Sequence, residues 1–65
     1  MTVGELFEKG LVSDRHVVEI KKDLGKERPT TRIGHWYEGQ IRQCRNMEVA
    51  YFEWDEDGIN IIVRN

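Results

Sequence analysis

Apolar and polar positions along the chain fall into short blocks whose period changes from helical to alternating. Val3, Leu6 and Phe7 lie on one helical face, and Thr2 with Glu5 three residues later has the form of a capping box. Gly10 follows as a stop residue. The spacing predicts a helix of about two turns over residues 3–9, too short to hold by itself and therefore packed on something else. Gly4 lowers its helicity but allows close approach to a neighbour.

Arg15 to Lys22 reads as a strand, with Val18 and Ile20 sharing a face with His16 while Val17, Glu19 and Lys21 point away. Asp23-Leu24-Gly25-Lys26 supplies a turn. Glu27-Arg28-Pro29 continues it or opens an edge strand, since a central strand rejects proline. Thr30 to Tyr37 reads as a second strand, and Glu38-Gly39 as a turn or bulge. Two readings stand for Gln40 to Asn46. Ile41 and Cys44, three apart, suit a single helical turn, and a short strand is the alternative.

Met47 to Trp54 is strand-like, with Met47, Val49 and Tyr51 alternating with Ala50, Phe52 and Trp54. Asp55-Glu56-Asp57-Gly58 is the sharpest turn signal in the chain, because Asp-Gly tolerates the positive φ of hairpin turns. Ile59 to Val63 closes a hairpin with the preceding strand. The expected fold class is α+β: one domain, residues 1–65, with a short N-terminal helix packed on an antiparallel sheet of three to five strands. Both faces of the final hairpin carry apolar residues. The second face then needs a barrel-like closure, a dimer or a binding surface.

Composition narrows this picture. A chain of 65 residues buries only about 60% of its unfolded surface, so its core is thin. Cys44 is the single cysteine, which excludes an intrachain disulfide. With two histidines it makes no standard zinc site, and no metal ligand set is assigned. Good packing or a homodimer remains as the source of stability. No apolar run reaches membrane-span length, and the N-terminal residues lack a signal-peptide pattern, so a cytoplasmic location is expected. The formal net charge is -2. Residues 1–34 carry seven Lys/Arg against six Asp/Glu, and residues 35–65 carry three against six. Neither imbalance requires a polyanionic partner.

Candidate chemistry was tested against these limits. Glu53, Asp55 and Asp57 before Gly58 resemble the start of a calcium loop, but the twelfth position falls on Arg64, a cation where a bidentate carboxylate is needed. Glu53 and Asp55 as a glycosidase pair would need one acid in an enclosing pocket. Cys44 with His16 or His35 lacks any local nucleophile motif. The glycines form no phosphate-binding loop, so no cofactor is expected and the chain is read as non-enzymatic.

Two surfaces remain. Tyr51, Phe52 and Trp54 beside Asp55, Glu56 and Asp57 have the makeup of a protein-contact site, with apolar anchors and a polar rim. Together with Glu48 and Glu53, the same acids suit a competitor for a nucleic-acid groove on another protein. Lys21, Lys22 and Arg32, followed by Trp36 and Tyr37, suit single-stranded nucleic acid through charge and stacking across residues 15–37.

The motifs Thr2-Val3-Gly4-Glu5-Leu6, Val18-Glu19-Ile20, Trp36-Tyr37-Glu38-Gly39 and Met47-Glu48-Val49, with the closing 59–63 segment, resemble small uncharacterised proteins of Gram-positive bacteria and their phages. Those proteins combine a T-V-x-E-L helix start, a V-x-I strand, a Y-E-G turn and a final hydrophobic strand. They often carry a longer helical insert after Y-E-G, where this chain has only Gln40 to Asn46. The resemblance implies an α-then-β order and a phage origin, favours a host-directed role, and supplies no catalytic residue. The functional expectation is a protein-interaction module with an unidentified protein partner.

Overall fold

The computed structural model describes residues 1–64. Its elements are α1 (Val3–Glu8), β1 (Val17–Lys22), β2 (Thr30–Gly34), α2 (Gly39–Arg42), β3 (Val49–Trp54) and β4 (Gly58–Val63). Four strands make one sheet in the order β2-β1-β4-β3. An N-terminal helix on a multi-stranded sheet is thus the architecture, as the α+β expectation had it.

The sheet is mixed rather than wholly antiparallel. β1 pairs antiparallel with β2, and β3 with β4, but the central pair β1 and β4 runs parallel. The chain leaves β2, passes through α2, lays down β3 at the far edge and inserts β4 between β1 and β3. Parallel neighbours need such a long connection. The sheet also stays open, with β2 and β3 as its edges, and does not curl into a barrel.

This topology accounts for the apolar residues on both faces of β4. Ile59, Ile61 and Val63 pair in register with Val18, Ile20 and Lys22, and the apolar members join Val3, Leu6, Val12, Ile41, Cys44 and Val49 in one core. Ile62 faces the other way yet is only 2% exposed, because it lies between Lys21 of β1 and Tyr51 of β3. A central strand is covered by its neighbours even where no helix lies above it.

β3 does not keep the simple alternation read along 47–54. A bulge between Val49 and Tyr51 shifts the register. Val49, Phe52 and Trp54 therefore pair with Val63, Ile61 and Ile59 on the helical side, and Tyr51 and Glu53 point outward. The strand begins at Val49 rather than Met47, and Thr2 bridges Glu48 instead. β2 likewise stops at Gly34 rather than Tyr37. The turn after it folds back: His35 N donates to Glu38 Oε1 at 2.6 Å, and Glu38 N donates to the His35 carbonyl at 3.0 Å.

The 55–58 turn forms, but not through a left-handed glycine. Positive φ occurs only at Gly10 and Gly25 among the described residues. Gly58 is needed for space: a Cβ there would run into the backbone of Val17 on the adjacent parallel strand. The turn is held by Asp55, whose Oδ1 accepts from Asp57 N and Gly58 N and whose Oδ2 accepts from Asn60 Nδ2.

Candidate functional site

The helical side of the sheet carries a groove of about 310 Å³ lined by Gly4, Phe7, Glu8, Trp36, Arg42 and Arg45. Three separate segments build it. On α1, Gly4, Phe7 and Glu8 follow i, i+3, i+4 spacing, which aligns them on one flank while Val3 and Leu6 enter the core. On α2 and the turn after it, Ile41 and Cys44 are buried, so Arg42 and Arg45, each one residue further on, share the exposed flank. Trp36 comes from the turn that ends β2.

Backbone contacts fix α1 against the segment that follows α2. Gly4 N donates to the Arg45 carbonyl at 2.8 Å, and Val3 N to the Met47 carbonyl at 3.0 Å. Two otherwise orphaned N–H groups of α1 are satisfied by tertiary partners in this way. Glu5 N donates to Thr2 Oγ1, and the Glu5 carboxylate accepts from Thr2 N, both at 3.2 Å, which completes the capping box. A Cβ on Gly4 would lie 3.1 Å from the Arg45 carbonyl oxygen, so the absence of a side chain permits this approach. Trp36 is anchored by Nε1 donating to Asp14 Oδ1 at 2.8 Å. Its ring lies 6.3 Å from Phe7, tilted by 51°.

The groove is bounded by the half-buried rings of Phe7 and Trp36 and by the exposed charged side chains of Arg42, Arg45 and Glu8. Arg45 donates from its guanidinium to the Arg42 carbonyl at 3.1 Å. Among the described residues, neither arginine has a carboxylate at ion-pair distance; the ion pairs are Met1 with Glu48 and His35 with Glu38. Glu8 also lines the groove without engaging them. Guanidinium groups stay charged at any physiological pH and match carboxylates in a planar, two-pronged geometry. The volume lies at the small end of ligand sites, suited to one ring or one side chain.

Three carboxylates elsewhere are held below their usual range by hydrogen bonds. Asp55 is lowered first by the Gly58 N–H, then by Asn60 and the Asp57 N–H. Glu38 is lowered by the His35 backbone N–H and then its side chain, and Glu5 by the backbone and side chain of Thr2. Asp55 and Glu38 stabilise turns and Glu5 a helix start, and their lone pairs are committed locally.

The residues first singled out for protein contact are scattered. Phe52 packs against the core, whereas Tyr51 faces outward beneath the Arg28 guanidinium, 5.4 Å from its ring centre. Trp54 is 47% exposed and meets His16 edge-on at 5.1 Å. Asp55 is engaged in the turn, while Glu56 and Asp57 stand exposed beside it. The basic set is divided as well. Lys22 and Arg32 line a second hollow with Thr31, Cys44 and Met47, but Lys21 lies on the opposite face. Trp36 joins the groove, and Tyr37 stacks on His35 at 5.6 Å.

Residue-by-residue reading missed Phe7, Arg42 and Arg45. The signal for the two arginines was present in the helical option for 40–46: if Ile41 and Cys44 turn inward, Arg42 and Arg45 project together. Comparison with known proteins finds no matching family model, no matching curated protein and no matching solved structure. The groove must therefore be read from its own chemistry.

Proposed function

We propose that this chain is a non-enzymatic protein-interaction module whose groove between α1, Trp36 and α2 receives an acidic segment carrying one apolar side chain. The observation that carries the reading is the pair of guanidinium groups, neither with a carboxylate at ion-pair distance among the described residues, that line one groove with the Phe7 and Trp36 rings. Aromatic and arginine side chains are the residue types that dominate contact energy at protein interfaces. The resemblance to phage proteins adds a host-directed role to the proposal.

Single-stranded nucleic acid draws less support. Lys21 and Lys22 face opposite ways, and the Trp36 and Tyr37 rings meet at 89°, which leaves no parallel platform for successive bases. At the hairpin tip, the Asp55 carboxylate is taken up by the turn, which thins the acidic surface that a nucleic-acid mimic would need.

A fluorescein-labelled peptide, Gly-Asp-Glu-Trp-Glu-Asp-Gly, titrated against the protein by anisotropy tests the reading. Binding is expected to weaken at least about fivefold in both Arg42→Ala and Arg45→Ala and for the peptide's Asn/Gln counterpart, in line with the loss of one charge-assisted contact. Equal affinity for the acidic and neutral peptides would refute it.

A further inference from the structure

Resting on that reading, we infer that the occupant of the groove is the hairpin tip of a second copy of this chain, with Trp54 as the apolar anchor and Glu56 and Asp57 as the acids. The molecule carries both halves of a complementary pair. One is a small aromatic slot rimmed by Arg42 and Arg45. The other is an exposed indole followed at once by a carboxylate-rich turn.

The choice of tip follows from elimination among the exposed large apolar side chains, Met1, Leu11, Leu24, Ile33, Tyr37, Met47 and Trp54. Met1, Leu11, Leu24, Ile33 and Met47 lack a ring to pack against those of Phe7 and Trp36, which leaves Tyr37 and Trp54. The acid next to Tyr37 is already engaged, since Glu38 accepts from His35 N. Beside Trp54, Asp55 is engaged within the turn, whereas the side chains of Glu56 and Asp57 make no hydrogen bond or ion pair among the described residues.

The tip is also braced by its own hydrogen bonds. Asp55 N donates to the Gly58 carbonyl at 2.8 Å, the Asp55 carboxylate clamps the turn, and His16 supports the inner edge of Trp54. A pre-formed protrusion entering a pre-formed slot loses little conformational freedom on docking. In a two-fold pair each tip enters the other's groove, so the contact is made twice. Interfaces this small belong to the weak class, and a monomer–dimer equilibrium between about 10 µM and 1 mM is expected.

Sedimentation equilibrium of the full chain from about 10 µM to 1 mM reads this directly. The wild type should dimerise, and raising NaCl from about 50 to 500 mM should weaken the pair severalfold through screening. Arg42→Glu with Arg45→Glu places acids against acids, and Glu56→Lys with Asp57→Lys places cations against cations. Each double variant should be monomeric, and a one-to-one mixture of the two should associate again. Circular dichroism establishes that each is folded, and if the groove variant is not, the tip variant alone decides. A monomeric wild type at 1 mM, dimerisation unchanged in either folded variant, or a mixture that stays monomeric overturns the inference. The labelled acidic peptide separates this from the broader reading. A monomeric wild type that binds it keeps the groove and loses the second copy, and a wild type that does neither loses both.

Discussion

α1 and α2 face each other across the groove, and neither is long enough to persist alone in water. They are held by different means. α1 has six residues, a Thr2 capping box, a carboxylate in its first turn and a left-handed Gly10 beyond its end. α2 has four residues and no side-chain cap; the Glu38 carboxylate at its start turns back to His35 instead. What holds α2 is burial, with Ile41 at 0% and Cys44 at 4% exposure. A locally encoded helix thus meets the turn that follows a tertiary-encoded one at the Gly4–Arg45 contact, and the site lies at this junction. The difference teaches that the groove is only as stable as its weaker wall.

The comparison breaks most severely at Ile41. Ile41→Ala removes the main anchor of α2 and should cost about 3 kcal/mol in urea denaturation, with loss of peptide binding in the remaining folded fraction. Gly4→Val acts at the junction itself. The added methyl groups press on the Arg45 carbonyl, and a cost of about 1–3 kcal/mol is expected, with groove affinity falling more than stability alone explains. Thr2→Ala tests the local side and should cost about 1 kcal/mol, leaving the chemical shifts of 39–45 nearly unchanged.

Acid sharpens the same contrast. Glu5, Glu38 and Asp55 titrate below the usual carboxylate range in the folded chain. Their contribution is therefore full above the unfolded-state value, near pH 4, and is lost as pH falls through the lower folded values. An acid titration followed by circular dichroism should show Glu5→Gln and Glu38→Gln each flattening this limb, with little change at pH 7 in its slope. The smallest expected effect is Arg42→Ala, within about 0.5 kcal/mol of wild-type stability, since the side chain is exposed and without an ion pair among the described residues. A large loss there would mean that the arginine holds the fold rather than waits for a partner.

What could be read in advance follows the same division. Thr2, Glu5 and Gly10 announced α1 because capping is a matter of residues a few positions apart. Gly25 marked its turn for the same reason. The hairpin at 55–58 was legible, but the purpose of Gly58 was not, since Val17 is forty-one positions away in sequence. The candidate site was legible only in part. Trp36 and Trp54 stood out as aromatics, whereas Phe7, Arg42 and Arg45 acquire meaning only when α1 and α2 are brought together.

By itself, then, the sequence determined the capped helix, the strands on either side of residues 40–46 and the closing hairpin turn, because each rests on periodicity or on hydrogen bonds between near neighbours, while residues 40–46 stayed open between a helical turn and a strand. The tertiary structure alone decided that β4 runs parallel to β1, that a bulge turns Tyr51 away from Val49, and that two arginines share a slot with two aromatic rings. Those features arise from contacts between segments far apart in sequence. Strand order and helix docking are set by how the whole apolar surface can be covered at once, a condition that no local window contains.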